Sequence, residues 1–188
     1  MNIGFAMCGS FCTFKEVFQV LEGIVNEYNI IPIFSDIAYT TDSRFGSAES
    51  NIQTVEKICK RPPLHTIAAV EPFGPQKILD ALVIAPCTGN TLAKLAHSIA
   101  DTPVTMAAKS HLRNARPVII AISTNDALGG AAENIGRLLS RKNYYFVPYR
   151  QDDHKQKPTS IVADFTQIPA TLKHALSGQQ IQPLLLQK

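Results

Sequence analysis

Apolar residues along this chain fall into two alternating rhythms. Short unbroken runs, Ile3–Met7, Ile30–Phe34, Leu82–Ala85, Val118–Ile122 and Tyr144–Val147, have the length and β-branched content of strands buried on both faces. Thr66–Val70 is a sixth, weaker strand pattern. Between the runs, apolar positions recur at intervals of three and four residues, which predicts amphipathic helices. The first starts near Thr13 and turns Phe14, Val17, Phe18, Leu21, Val25 and Tyr28 inward, with Thr13 and Glu16 at capping-box spacing. A second, from about Ser47 to Lys60, buries Ile52, Val55, Ile58 and Cys59 and ends at Pro62-Pro63. A third follows the central run directly: Pro86 stops the strand, Cys87 to Thr91 make the turn, and Leu92, Leu95, Ala96 and Ile99 take up helical spacing. Thr102 and Pro103 open the next helix, as cap and first residue. Leu128, Ile135, Leu138 and Leu139 mark another, and a helix over about 164–177 stops at Gly178. Two stretches break the rhythm: Ala38 to Gly46, a polar loop, and residues 148–161, polar, charged and too long for an ordinary connection.

Strands alternating with helices predict a doubly wound, Rossmann-like α/β fold: a parallel sheet of about six strands with helices on both faces. Residues 1–188 read as one domain, with the loop 148–161 and the last helix packed on it. Composition adds exclusions. The 18 Lys+Arg against 15 Asp+Glu give a formal +3, too slight a basic excess for nucleic acid, and no aromatic-studded basic patch accompanies it. Charged residues make up only 18%, which is expected where some surface is buried in an oligomer. The four cysteines form no CxxC pair, no His/Asp/Glu cluster has ligand spacing for a metal, and the first residues lack a signal peptide's basic region. A reduced, cytoplasmic setting is the expectation.

In such sheets ligands bind beyond the carboxyl ends of the strands, where strand order reverses. That rule selects Gly9-Ser10, Ser35-Asp36, Thr88 to Thr91 and Ser123 to Asp126, all small and polar. At Thr88–Thr91 a strand passes straight into a helix, so the free N–H groups and positive dipole end of that helix make an anion site. Gly89 permits close approach to the backbone. The standard nucleotide signatures fail: Gly4 to Ser10 has P-loop glycine spacing without its lysine, and no G-x-G-x-x-G follows the first strand. Cys8 and Cys87 stand where a helix N-terminus would lower a thiol pKa, but cysteine is also a common small buried residue, and that is the preferred reading. His97 and His111 read as solvated or partly packed, and His65 is the candidate general acid/base. Lys94, Lys109 and the Arg150–Lys157 loop suit a carboxylate-bearing substrate.

The run IAPCTGNTLAKLA, with Gly9-Ser10 after the first strand, resembles the FMN-binding flavoprotein family of phosphopantothenoylcysteine decarboxylases, lantibiotic cysteine decarboxylases and flavin prenyltransferases. There a strand ends A-P-x-(S/T)-A-N-T and leads into a helix beginning x-A-K. Ala85, Pro86, Thr88, Asn90, Thr91, Ala93 and Lys94 match, with Gly89 in place of the alanine. The resemblance implies FMN held at the strand ends, and a homo-oligomer that is a trimer or a multiple of trimers. By position it gives cofactor-binding roles to Gly9, Ser10, Ser35, Thr88, Gly89, Asn90 and Thr91, with Ser123 and Thr124 close by. Leu64-His65-Thr66-Ile67 partly matches the context of the decarboxylases' catalytic histidine. The decarboxylases' P-x-M-N-x-x-M-W is replaced by Ile122-Ser123-Thr124-Asn125-Asp126-Ala127-Leu128, which argues against cysteine decarboxylation. The segments DTPVTMAAKSHLRNARPVIIAISTNDALG and YYFVPYRQDDHKQKP extend the resemblance to the dipicolinate branch of the family. That branch implies a partner, the Rossmann-type, dehydrogenase-like A subunit of dipicolinate synthase. With it, a dihydrodipicolinate-level precursor is oxidised to pyridine-2,6-dicarboxylate in the mother cell of a sporulating bacterium. Two alternatives stand beside it: a non-catalytic protein that stabilises or activates the A subunit, and an FMN-dependent decarboxylase or prenyltransferase.

Overall fold

The apolar runs assemble as adjacent strands because each is buried on both faces and needs a helix layer above and below. In the computed structural model, which describes residues 1–187, β1 (Asn2–Met7) lies between β2 (Asn29–Phe34) and β3 (Ala81–Cys87), and β3 lies between β1 and β4 (Val118–Thr124). These four are parallel, as is the short β5 (Tyr144–Phe146) on the far side of β4. Every residue of β3 is buried, so it is the centre of the core. The first crossover runs through α1 (Phe14–Ile24) and the connection from β3 to β4 through α5 (Gly89–Ala96) and α6 (Pro103–Leu112). The two move outward from β1 and β3 in opposite directions, which puts their helices on opposite faces and the topological switch between β1 and β3. The C-terminal α8 (Ile168–Leu176) packs on β3, β4 and β5.

The doubly wound α/β sheet with helices on both faces is therefore observed, but it has seven strands and is mixed. The polar stretch after Val147 is an antiparallel ribbon, β6 (Tyr149–Asp153) and β7 (Lys157–Ala163), and β7 pairs antiparallel with the end of β4. Its turn is chemical rather than apolar in origin: the Asp153 carboxylate accepts from the N–H groups of Lys155 (3.0 Å) and Gln156 (3.1 Å). Residues 150–152 are exposed, so no alternation marked the strand.

Several smaller expectations are corrected. Thr66–Val70 is not a strand: Thr66 caps a short helix, α4 (Ile67–Val70), in which only Val70 is buried. The segment after Ser35 begins as α2 (Asp36–Thr40), because the Ser35 hydroxyl accepts from Ala38 N–H (3.2 Å). The Thr13–Glu16 capping box does not form, since the chain enters α1 through a 3-10 turn and the Thr13 hydroxyl donates to Ser10 O (2.9 Å). Pro86 does not stop β3, which continues to Cys87 through a register shift against β4. The helix α3 (Ala48–Cys59) has the predicted place, whereas Ile99 and Leu128 lie outside α5 and α7 (Ala132–Leu139) and are exposed.

Candidate functional site

The carboxyl ends of β1, β3 and β4 converge on one spot. Beyond β1, Cys8 N–H donates to Pro86 O (3.2 Å), which ties the first turn to the central strand. Ser10 then shares a 2.7 Å hydrogen bond with Ser123, linking the ends of two strands that β3 separates. Between them Thr88 caps α5: its hydroxyl accepts from Thr91 N–H (3.4 Å) and contacts the Thr91 hydroxyl (3.2 Å). Thr91 is buried and donates to Cys8 Sγ (3.3 Å), closing a chain of small side chains beneath the turn. With Thr91 N–H committed to the cap, Gly89 and Asn90 are left as the first amides of the helix, and neither has an acceptor among the described residues.

The glycine of this turn is a packing requirement. A Cβ on Gly89 would stand 2.8 Å from Asp126 Oδ1 and 2.9 Å from Thr124 Oγ1, and the Thr124 hydroxyl itself donates to the Asp126 carboxylate. The space that alanine fills in the resembling motif is here occupied by this hydroxyl–carboxylate pair.

Gly9, Ser10, Thr88, Ser123 and Thr124 line the floor of an open cleft of about 1050 Å³. One wall is α1, the other the β6–β7 ribbon, which Asn125 anchors by accepting from Thr159 (2.6 Å) and Ser160 (3.3 Å) hydroxyls. The cleft thus offers hydroxyls and a helix N-terminus at its floor, with Arg150 and Lys157 on its ribbon side; Glu16, Glu27, Asp152 and Asp164 also line its walls, and Lys157 Nζ is already 2.7 Å from Asp152. Such a donor set suits a phosphate ester or carboxylate.

The remaining expected residues stand elsewhere. Gly89, Asn90 and Thr91 adjoin the cleft through the helix turn without lining it. Ser35 follows β2 and is occupied as the cap of α2. His65 lies beside the end of β2, where Leu64 bridges to Ile33, and its ring stacks on Tyr39 with centroids 3.7 Å apart. Lys94 is paired with Asp101 at 2.8 Å, and Lys109 lies at a different cavity. Cys8 and Cys87 are small buried residues, as expected, and not activated thiols: burial pushes Cys8 up to about 11, against weaker opposing hydrogen bonds from Thr91 and Thr88, and pushes Cys87 well above the usual thiol value, with Cys8 adding to it. Desolvation disfavours the thiolate at both. His111 is fully buried, not solvated, with Nε2 3.0 Å from Pro117 O. Residue chemistry alone did not single out Asp126; its signal was its place in the polar turn after β4.

A family model described as Flavoprotein matches residues 1–160. The chain is 44% identical over 187 residues to the dipicolinate synthase B subunit of Bacillus subtilis (strain 168), covering 99% of this chain and 94% of that protein. The crystal structure of the dipicolinate synthase B subunit from Bacillus halodurans C is similar with a TM-score of 0.91 at 43% identity, covering 100% of this chain and 96% of the other. Burkholderia xenovorans DmrB in complex with FMN, described as a cubic protein cage for redox transfer, matches with a TM-score of 0.69 at 19% identity over 94% and 95% of the two chains, a likeness of fold.

Proposed function

The chain belongs to the flavoprotein family, and from that premise we propose that it acts as the B subunit of a dipicolinate synthase. The observation that carries this reading is the end-to-end likeness to the Bacillus subtilis protein. In it, residues 1–188 form one cytoplasmic domain that assembles as a trimer or a multiple of trimers. It works with a Rossmann-type A subunit, and a dihydrodipicolinate-level precursor loses two electrons and two protons to become the aromatic dicarboxylate.

The strand-end cleft is the FMN site of this proposal. Its residues fit the group: the Ser10, Thr88, Ser123 and Thr124 hydroxyls and the Gly89 and Asn90 amides suit a phosphate ester, and about 1050 Å³ is room for a three-ring system. Gly9 gives the backbone access, Thr91 holds Thr88 in place from below, and Ser35, whose oxygen caps α2 outside the cleft lining, has only its hydroxyl hydrogen to offer from the β2 end. FMN supplies a two-electron acceptor when bound. Arg150 faces the same cleft and enters none of the ion pairs among the described residues, so it is the cation offered to a dicarboxylate, whereas Lys157 is held by Asp152. The Thr124–Asp126 pair fixes a carboxylate at the mouth of α5, where it sets which anions are tolerated beside Gly89. His65, stacked on Tyr39 at the neighbouring strand end, is the acid/base candidate of this reading.

The test is spectroscopic and enzymatic. The purified chain is titrated with FMN, following flavin absorbance, and then combined with the A subunit to measure dipicolinate formation. Saturable FMN binding that Thr88→Val weakens, with dipicolinate formed only when both proteins are present, is expected. A chain that ignores FMN, beside an A subunit that reaches full rate alone, would overturn the reading. The placement of His65 favours a second reading, a non-catalytic protein that activates the A subunit: His65 is outside the cleft lining, and Cys8 and Cys87 are buried away from it. Full activation of the A subunit by a His65→Ala, Ser10→Ala double variant would select it.

A further inference from the structure

A second cavity opens at the far end of α5, near the amino end of β5, away from the strand carboxyl ends. It measures about 440 Å³ and lies between α6, the turn after α5 and the turn that leads into β5. Its apolar side is Leu95, Ile99 and Leu112, and Ile99 is 47% exposed. Around these stand four cations, Lys109, Arg113, Arg141 and Lys142, and no carboxylate is among the lining residues. Arg141 gives its guanidinium to the last carbonyls of α5, donating to Leu95 O (3.1 Å) and Ala96 O (2.6 Å). The other three cations enter none of the ion pairs among the described residues. Asp101, the acid next in sequence to the cavity, is already held by Lys94 at 2.8 Å. The Tyr144 phenol lines the same cavity; burial holds it protonated, so it remains a donor.

Lys109 stands in the last turn of α6 and Arg113 at its C-cap, four residues apart, where the negative end of the helix dipole favours both cations and their repulsion of each other leaves them open to an anion. An apolar side with cations around it, in a space of this size, matches a small molecule that carries two negative charges on an apolar frame. We propose that this pocket binds a small organic dicarboxylate, its charges on Lys109, Arg113 and Lys142 and its frame on Leu95, Ile99 and Leu112. The pocket and the strand-end cleft share no lining residue and stand at opposite ends of α5. Failure here therefore leaves the reading of the cleft untouched.

Calorimetry on the full chain tests this, with pyridine-2,6-dicarboxylate, inorganic phosphate and acetate as probes. The dicarboxylate binds, and its affinity falls about tenfold or more in Lys109→Gln and in Lys142→Gln, the scale of one lost charge-assisted hydrogen bond. It also falls as ionic strength rises, is unchanged in Ser10→Ala, and exceeds that of phosphate and acetate. Affinity that both lysine variants leave intact, or that Ser10→Ala abolishes, overturns the assignment. Phosphate binding as tightly as the dicarboxylate removes the role of the apolar side and overturns it too. So does a change of oligomeric state in the lysine variants without any dianion binding, which would make the patch a contact between copies.

Discussion

Lowering the pH from 7 towards 4 drives a proton towards a ring that has no place for it. His111 is fully buried in α6 and its Nε2 lies 3.0 Å from Pro117 O, so the neutral ring with hydrogen on Nε2 donates there. Nδ1 has no partner among the described residues, and protonating it would bury both a charge and an N–H without an acceptor. Burial is the main cause that pulls the ring from 6.5 down to about 4; the Pro117 carbonyl opposes it, Arg116 assists, and Asp80 opposes. The unfolded chain takes up this proton near 6.5 and the folded chain only near 4. Between those values the unfolded state binds more protons, so stability falls as pH falls. The difference, 6.5 − 4 = about 2.5, at 1.36 kcal/mol for each unit of pKa, amounts to about 3 kcal/mol lost by pH 4. Urea unfolding across this range measures it, with His111→Gln as reference, because a glutamine amide can still donate to Pro117 and does not titrate. The wild type should lose about 3 kcal/mol more than the variant between about pH 7 and pH 4. Parallel pH dependences would refute the reasoning.

Three further outcomes are expected. Gly89→Ala should push Asp126 away from Thr124; losing that exposed hydrogen bond costs about 1 kcal/mol, which the usual helix gain of Gly→Ala offsets by about 0.5–1 kcal/mol. Net stability therefore barely moves, while a double-mutant cycle with Asp126→Ala shows a coupling of about 1 kcal/mol, and a zero coupling rejects the contact. Thr88→Val removes the cap of α5 and should lower Tm by about 2–4 °C, read by calorimetry, for a loss of about 1 kcal/mol. Thiol labelling of the native protein should reach exposed Cys12 quickly and leave Cys8 and Cys87 unmodified until unfolding; rapid labelling of Cys8 would contradict its burial.

The parallel core was legible because its strands are apolar on both faces and their length is bounded by polar turns, as at Leu82–Ala85 and Val118–Ile122. The ribbon was not, since β6 and β7 are half in water and their register is set by Asp153 and by pairing with β4. Thr66–Val70 misled because a short apolar run has no intrinsic period, and the Thr66 cap decided for helix. At the site, the rule that ligands gather at strand ends picked out the turns that meet: Gly9, Ser10, Thr88, Ser123 and Thr124 border one cleft. Which of them are already committed was invisible, because a hydroxyl's partner is a matter of three-dimensional distance. Ser35 and Thr91 are examples, one capping α2 and the other beneath the turn.

The pairing of Ser123 with Val162 and of Thr124 with Ile161 has a consequence for assembly. The floor of the cleft joins a serine from the tenth position to one more than a hundred residues later, and its outer wall is added by a segment later still. No local stretch can make this cavity in advance, however well its own helix or strand forms. Binding there is then open only to a chain whose first and last thirds have already met. A ligand in the cleft is therefore a clamp on the whole fold, and its affinity is returned in full as resistance to global unfolding.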